Sequence, residues 1–210
     1  MQQIIVSGLG GQGVLFVSRL LAETALDMGY SALLSETHGM AQRGGNVISH
    51  LKIWRPEPCS AVGGARTRNG EAAGSHEAAD SHGAEPGFTS PLVRPGMADV
   101  FFSLHPDALL VHGYYLKPSG AAFCNTPQPN DGRSIDAAGI AMKLGLPVSA
   151  NLVLLGFAAT SGELFCQADR IETTLRRFGG KRLEASLRAY HAGLNQSAST
   201  AGQAGAAPRG

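Results

Sequence analysis

Ile4-Ile5-Val6-Ser7-Gly8-Leu9-Gly10-Gly11-Gln12-Gly13-Val14 is a short β-branched run that stops at a cluster of glycines. Ile4 to Ser7 is too brief to wind usefully and suits a buried parallel strand. Beyond the glycines, Val14, Val17, Leu21, Ala25 and Met28 recur at helical spacing, and Gly29 stands where a left-handed cap is wanted. The spacing predicts a strand, a glycine turn and a helix. Gly8, Gly10 and Gly13 satisfy G-x-G-x-x-G in the context that pattern requires. Glycines permit positive φ and close backbone approach, and the amides and dipole of the helix opening near Val14 attract an anion. A nucleotide-like ligand is the first expectation, and a tight strand-to-helix turn without a ligand is the plain alternative. Glu36, 23 residues beyond Gly13, stands near where an acid would hold a ribose hydroxyl, which keeps an NAD(P)-binding reading open.

Outward from this unit, residues 30–35 read as a second strand, parallel to the first across a right-handed crossover. Residues 46–54 alternate Val47, Ser49, Leu51 and Ile53 against Ile48, His50 and Lys52, a third strand with one partly solvated face. Residues 56–88 are rich in Gly, Pro and charge with almost no large apolar side chain, so their burial cannot offset their ordering entropy. They are expected to form a flexible surface insertion. Strands are expected at 98–104 and 121–125, a short helix at 135–144 and a buried helix at 152–159. Ile171, Leu175 and Phe178, then Leu183, Leu187 and Tyr190, give helical stripes broken at Gly179-Gly180. The small-residue stretch from Asn195 is expected to be disordered. The fold class is therefore α/β: one three-layer Rossmann-like domain over 1–192 with a mostly parallel sheet, an insertion at about 56–88, and a disordered tail over 193–210.

Composition narrows the function. The chain has 210 residues, which fits a single domain. Its 17 Lys and Arg against 16 Asp and Glu leave a net charge of +1, with no basic field for nucleic acid or an anionic membrane. Three cysteines without C-x-x-C spacing cannot build a disulfide framework, a structural zinc site or a four-cysteine iron–sulfur cluster. Cys124 and Cys166 lie in or beside apolar segments as inert small hydrophobes. His38, His50, His105 and His112 fall on separate elements, so no metal site is expected. Ser7 and Ser49 show no evident catalytic His partner, and no catalytic residue is assigned. The start lacks signal-peptide character and no run has the apolar length of a membrane helix, so a cytoplasmic protein is expected.

A second polar loop follows the second strand: Ser35-Glu36-Thr37-His38-Gly39-Met40-Ala41-Gln42-Arg43-Gly44-Gly45. Arg43 offers a planar fork of donors for phosphate or carboxylate, and its neighbouring glycines let a ligand's groups come close.

This loop, paired with Gly8-Leu9-Gly10-Gly11-Gln12-Gly13, resembles the gamma-type domain of 2-oxoacid:ferredoxin oxidoreductases. The full run from Ser35 to Gly45, with the strand after it, is similar to the small (beta) subunit of indolepyruvate ferredoxin oxidoreductase. Ser90-Pro91-Leu92, Ala98-Asp99-Val100 and Asn151-Leu152-Val153-Leu154-Leu155-Gly156 continue the likeness in order over about residues 1–54 and 89–190.

The resemblance implies a non-catalytic subunit that binds no cofactor alone. A large partner subunit would hold thiamine diphosphate, magnesium and iron–sulfur clusters. The family decarboxylates a 2-oxoacid oxidatively, passes electrons to ferredoxin and forms an acyl-coenzyme A. Gly8, Gly10, Gly11, Gln12, Gly13, Glu36, Gln42, Arg43, Gly44 and Gly45 are the candidate contacts to coenzyme A or to the partner. A self-sufficient NAD(P)-binding enzyme and a purely structural subunit remain the alternatives. Residues 56–88, and Leu104-His105-Pro106-Asp107 in place of an acidic continuation, depart from the family pattern.

Overall fold

The computed structural model describes residues 1–38, 45–56, 90–129, 132–178 and 180–203. A six-stranded sheet runs in the order β2-β3-β1-β4-β5-β6. Its strands are β1 (Gln2–Leu9), β2 (Ser31–His38), β3 (Asn46–Trp54), β4 (Ala98–Ser103), β5 (Leu116–Asn125) and β6 (Ser134–Ile135). The helices are α1 (Val14–Asp27), α2 (Ala108–His112), α3 (Ala137–Lys143), α4 (Ala150–Ala159), α5 (Ala168–Phe178) and α6 (Leu183–Gln203).

β1 is central because Ile4, Ile5 and Val6 are all fully buried, so both its faces need cover. It pairs in parallel with β4, with Ile4 opposite Val100, and β4, β5 and β6 continue in parallel. β3 alone runs against them, antiparallel to β1 on one side and to β2 on the other. The expected parallel relation of β1 and β2 therefore holds in direction, with β3 inserted between them.

One face of the sheet carries a thick layer of α1, α3, α4, α5 and α6 over the main core, which includes Val6, Leu51, Phe102 and Phe123. Helix α4 is its centre, buried along all but its first residue. It meets α6 at two glycines: a Cβ on Gly156 would lie 2.1 Å from the Tyr190 carbonyl oxygen, and one on Gly193 2.0 Å from that of Val153. No larger residue fits either position without parting the helices. The amphipathic α5 packs Ile171 and Leu175 inward, while Arg177 reaches Asp27 at the end of α1, 2.8 Å away.

The opposite face is thin. Ile5, Ile48, Val93, Ala98 and Phe101 form a small core under Leu109 of α2 and Tyr115 of the following turn, Gly113–Tyr115. This layer corrects the expectation of a partly solvated face on β3. His50 is 1% exposed and accepts the Val93 N–H at 3.3 Å, its ring 5.0 Å from that of Tyr115. Lys52 donates to the Ser90 carbonyl at 2.9 Å. The chain thus returns alongside β3 at Ser90, and its polar groups satisfy side chains whose alternation suggested water.

Other boundaries moved for local reasons. The helix expected from 135 starts at Ala137, because Asp136 caps it by accepting the Gly139 N–H at 2.8 Å and Ser134 and Ile135 join the sheet. α6 continues to Gln203, past the Asn195 at which disorder was expected, since a formed helix extends easily through Ala, Ser and Gln. Residues 204–210 and 57–89, the latter holding nearly all of the expected insertion, lie outside the described residues.

Candidate ligand site at the glycine turn

The carboxyl end of β1 runs into the turn that opens α1. Within it, Gln12 is turned inward: its N–H donates to the Leu9 carbonyl at 3.1 Å, and its Oε1 accepts the Leu9 N–H at 2.8 Å. Gln12 therefore shapes the turn with its own side chain. Gly11 and Gly13 take positive φ of 94° and 81°. Gly13 is the N-cap of α1, which has no side-chain cap and no acid in its first turn. The first amides of a helix have no intrahelical acceptor, so this end presents donors and positive potential.

The second glycine segment meets the first directly. The Gly10 N–H donates to the Gly45 carbonyl at 3.0 Å, just beyond the point where Leu9 stands opposite Asn46 in the β1–β3 ladder. Gly8, inside β1, stands opposite Val47. Of the other expected contacts, Gln42, Arg43 and Gly44 lie outside the described residues. Glu36 is not drawn to the turn: its Oε1 lies 3.5 Å from Arg19 Nε on α1, and β3 separates its strand from β1.

Asn151, at the start of α4, seats against the turn. A Cβ on Gly13 would lie 2.2 Å from Asn151 Nδ2, which approaches the Gly13 carbonyl at 3.5 Å. Beside this contact opens a cleft of about 470 Å³, lined by Gly11 and Gly13, by Ser149 and Asn151 before and on α4, and by Lys181 and Arg182 ahead of α6. Sequence reasoning assigned no role to these last two cations, because nothing local ties residue 181 to residue 11.

A second polar cluster lies under the thin face. Ser7 Oγ stands 2.8 Å from His112 Nδ1. Burial holds the His112 pKa below its ordinary value, so the ring stays neutral and can accept the hydroxyl proton. Burial, then His112, then Lys52 push His50 down to about 4. Ser7 is 1% exposed, so the pair bonds β1 to α2 instead of facing substrate.

Cys166 is buried, and burial raises its thiol to about 12, while Cys124 is half-buried in β5; neither is part of a disulfide. Among the described residues no three His, Cys, Asp or Glu side chains converge as a metal site. No helix among them is long and apolar enough to cross a membrane.

Residues 3–196 match the family described as "Pyruvate ferredoxin/flavodoxin oxidoreductase". Among curated proteins, the chain is 27% identical to indolepyruvate oxidoreductase subunit IorB of Thermococcus kodakarensis, over 91% of this chain and 93% of that protein. It is 28% identical to the IorB subunit of Methanothermobacter thermautotrophicus, over 93% and 97%. Among solved structures, the keto/oxoacid ferredoxin oxidoreductase gamma subunit of Geobacter sulfurreducens superposes with a TM-score of 0.64 at 20% identity, covering 95% of this chain and 99% of that one. The 2-oxoglutarate:ferredoxin oxidoreductase of Magnetococcus marinus, solved with 2-oxoglutarate, coenzyme A and succinyl-CoA, superposes at 0.65 and 17% identity over 94% of this chain and 31% of its own. The likeness to these structures bears out the α/β fold with its mostly parallel sheet.

Proposed function

Because the chain belongs to the pyruvate ferredoxin/flavodoxin oxidoreductase family, we propose that it is the non-catalytic small subunit of a thiamine diphosphate-dependent 2-oxoacid:ferredoxin oxidoreductase. Its oxoacid is indolepyruvate or a similar aryl pyruvate, and it works in the cytoplasm. The observation that carries this reading is the end-to-end likeness to IorB subunits, 91% of this chain against 93% of the Thermococcus protein.

The residues here do not fit the reaction's redox groups. Three cysteines, one of them buried and held protonated, cannot supply a four-thiolate cluster, and no three His, Cys, Asp or Glu side chains converge as a metal site among the described residues. The reading therefore assigns thiamine diphosphate, magnesium and the clusters to a large partner subunit, with ferredoxin as the electron acceptor of the complex. This chain's contribution is positional. The glycine turn and the adjoining segment through Gly45, with Gln42, Arg43 and Gly44, present main-chain and guanidinium donors to coenzyme A or to the partner. The acid-free start of α1 suits an anionic group. An NAD(P) enzyme has less support, because Glu36 faces Arg19 one strand away from β1.

Reconstitution tests the reading. The chain is mixed without air with its large subunit, coenzyme A, indolepyruvate and an oxidised acceptor, and acceptor reduction is followed. Reduction that needs both chains is the expected result. Activity from this chain alone, or full coenzyme A-dependent activity from the large subunit alone, overturns the assignment.

A further inference from the structure

The end of the sheet away from the glycine turn carries a separate cavity of about 650 Å³. It opens where β1 and β2 begin and β3 ends. Tyr30 ahead of β2, Arg55 after β3, and the connection 160–167 between α4 and α5 enclose it. Gln2 at the start of β1 pins that connection twice. Its Nε2 donates to the Glu163 carbonyl at 2.7 Å, and its Oε1 accepts the Phe165 N–H at 2.9 Å. The Phe165 ring then meets Tyr30 edge-on, with centroids 6.0 Å apart. Met28 and Leu164 extend this apolar base. The walls are therefore built without a ligand, and a cavity of this size suits a small molecule.

Two guanidinium groups stand on the base. Arg55 lies over the Tyr30 ring, 5.3 Å from its centroid, and its Nε and Nη2 donate to Tyr30 Oη at 3.3 and 3.1 Å. Stacking and hydrogen bonds hold the fork in one place. None of these contacts is an ion pair, and among the described residues no carboxylate lies within salt-bridge distance of Arg55. Arg170 has only its neighbour Asp169, at 3.9 Å, and Asp169 does not line the cavity. The acids flanking the lining in sequence, Asp27 and Glu163, are engaged by Arg177 and Arg133 at 2.8 and 2.7 Å.

The cavity thus offers an oriented, uncompensated fork of donors beside flat apolar surface. Such a fork fits the plane of a carboxylate. The acid in the first turn of α5, Asp169, disfavours the higher charge of a phosphate there. We propose that this cavity is a binding site for a small carboxylate with a flat apolar body, its carboxylate between Arg55 and Arg170 and its body against Phe165 and Met28.

NMR titration of the full chain with phenylacetate tests it. Amide shifts concentrate at Tyr30, Phe165 and Gln167 and leave Gly11 and Gly13 in place. The Kd is on the order of 1 mM, the range for a ligand of about ten non-hydrogen atoms. Phenylacetamide, acetate and inorganic phosphate each bind at least about tenfold more weakly. Arg55→Gln and Arg170→Gln each lower the phenylacetate affinity by about tenfold or more. Both side chains are exposed, and an unchanged Tm verifies that each variant folds. Arg170 makes no contact with Tyr30, so its variant keeps the test should Arg55→Gln disturb the ring. No shift at about 20 mM phenylacetate overturns the proposal. So do shifts centred on Gly11 and Gly13, equal binding of the amide or of phosphate, or full affinity in a folded Arg170→Gln chain.

Discussion

Gly13 and Asn151 occupy space that only one side chain can fill: a Cβ on Gly13 would stand 2.2 Å from Asn151 Nδ2, although 138 residues separate the two. The last glycine of the turn is thus where α4 seats against the start of α1. Gly13→Ala should lower stability by about 2–4 kcal/mol, from the strain of a side chain at positive φ together with the clash. Asn151→Gly in the same chain should recover the clash and leave the strain. Gly11, whose Cβ would meet nothing, should cost only about 1–2 kcal/mol when changed to Ala. Urea unfolding measures all three, and a Gly13→Ala protein as stable as the parent would show that the contact is not made.

Acid should loosen the thin face. His50 is held at about 4 against 6.5 in an unfolded chain, so between these values the unfolded state binds more protons. The contribution of the neutral ring is complete above pH 6.5 and is lost as pH falls through about 4, by about 3 kcal/mol at most. Carboxylates titrate in part of this window, so the informative quantity is the difference between parent and His50→Gln in the slope of Tm with pH. Parallel slopes would mean that folding does not lower the His50 pKa.

The Ser7–His112 pair should behave as a tie between β1 and α2. Ser7→Ala should cost about 1 kcal/mol, and His112→Ala about 1–3 kcal/mol because it leaves a buried hydroxyl unpaired. A fluorophosphonate probe should leave Ser7 unlabelled. Labelling there would reveal a reactive nucleophile and a second chemistry.

Replacing residues 59–87 with a short Gly-Ser link should change stability by less than about 1 kcal/mol, since closure entropy varies slowly with loop length. Lys52 holds the Ser90 carbonyl beside the strand from which the chain departs, so the gap to be bridged is small. Loss of assembly with the large subunit in the trimmed chain would make this stretch a docking arm.

What could be read from the sequence was whatever its neighbours decide. The strand, turn and helix around Gly8 to Gly13 follow from a β-branched run, glycines and a 3.6-residue apolar period, all within 30 residues. Helix α4 was legible because Leu152 to Ala159 is apolar throughout. The place of β3 between β1 and β2 was not, since a period-2 pattern shows which residues share a face but not which strand lies alongside. Helix α2 has five residues, too few to show a period. Gln12 stands among the candidate contacts through the family resemblance, and its inward turn depends on hydrogen bonds to Leu9 that the pattern does not express. Lys181 and Arg182 read as ordinary surface charge until the fold brings them to residue 11.

The antiparallel insertion of β3 has a consequence for synthesis. Once Trp54 has left the ribosome, β1, α1, β2 and β3 are all available, and β1 can be paired along one edge. Its other edge, whose main-chain groups pair with β4 in the finished fold, has no partner until β4 emerges at Ala98. During that interval the growing chain exposes an apolar, unpaired strand, the kind of template on which nascent polypeptides associate wrongly. The hydrophilic stretch that separates the two halves therefore sets how long the hazard lasts, and shortening it should raise the soluble yield of newly made protein.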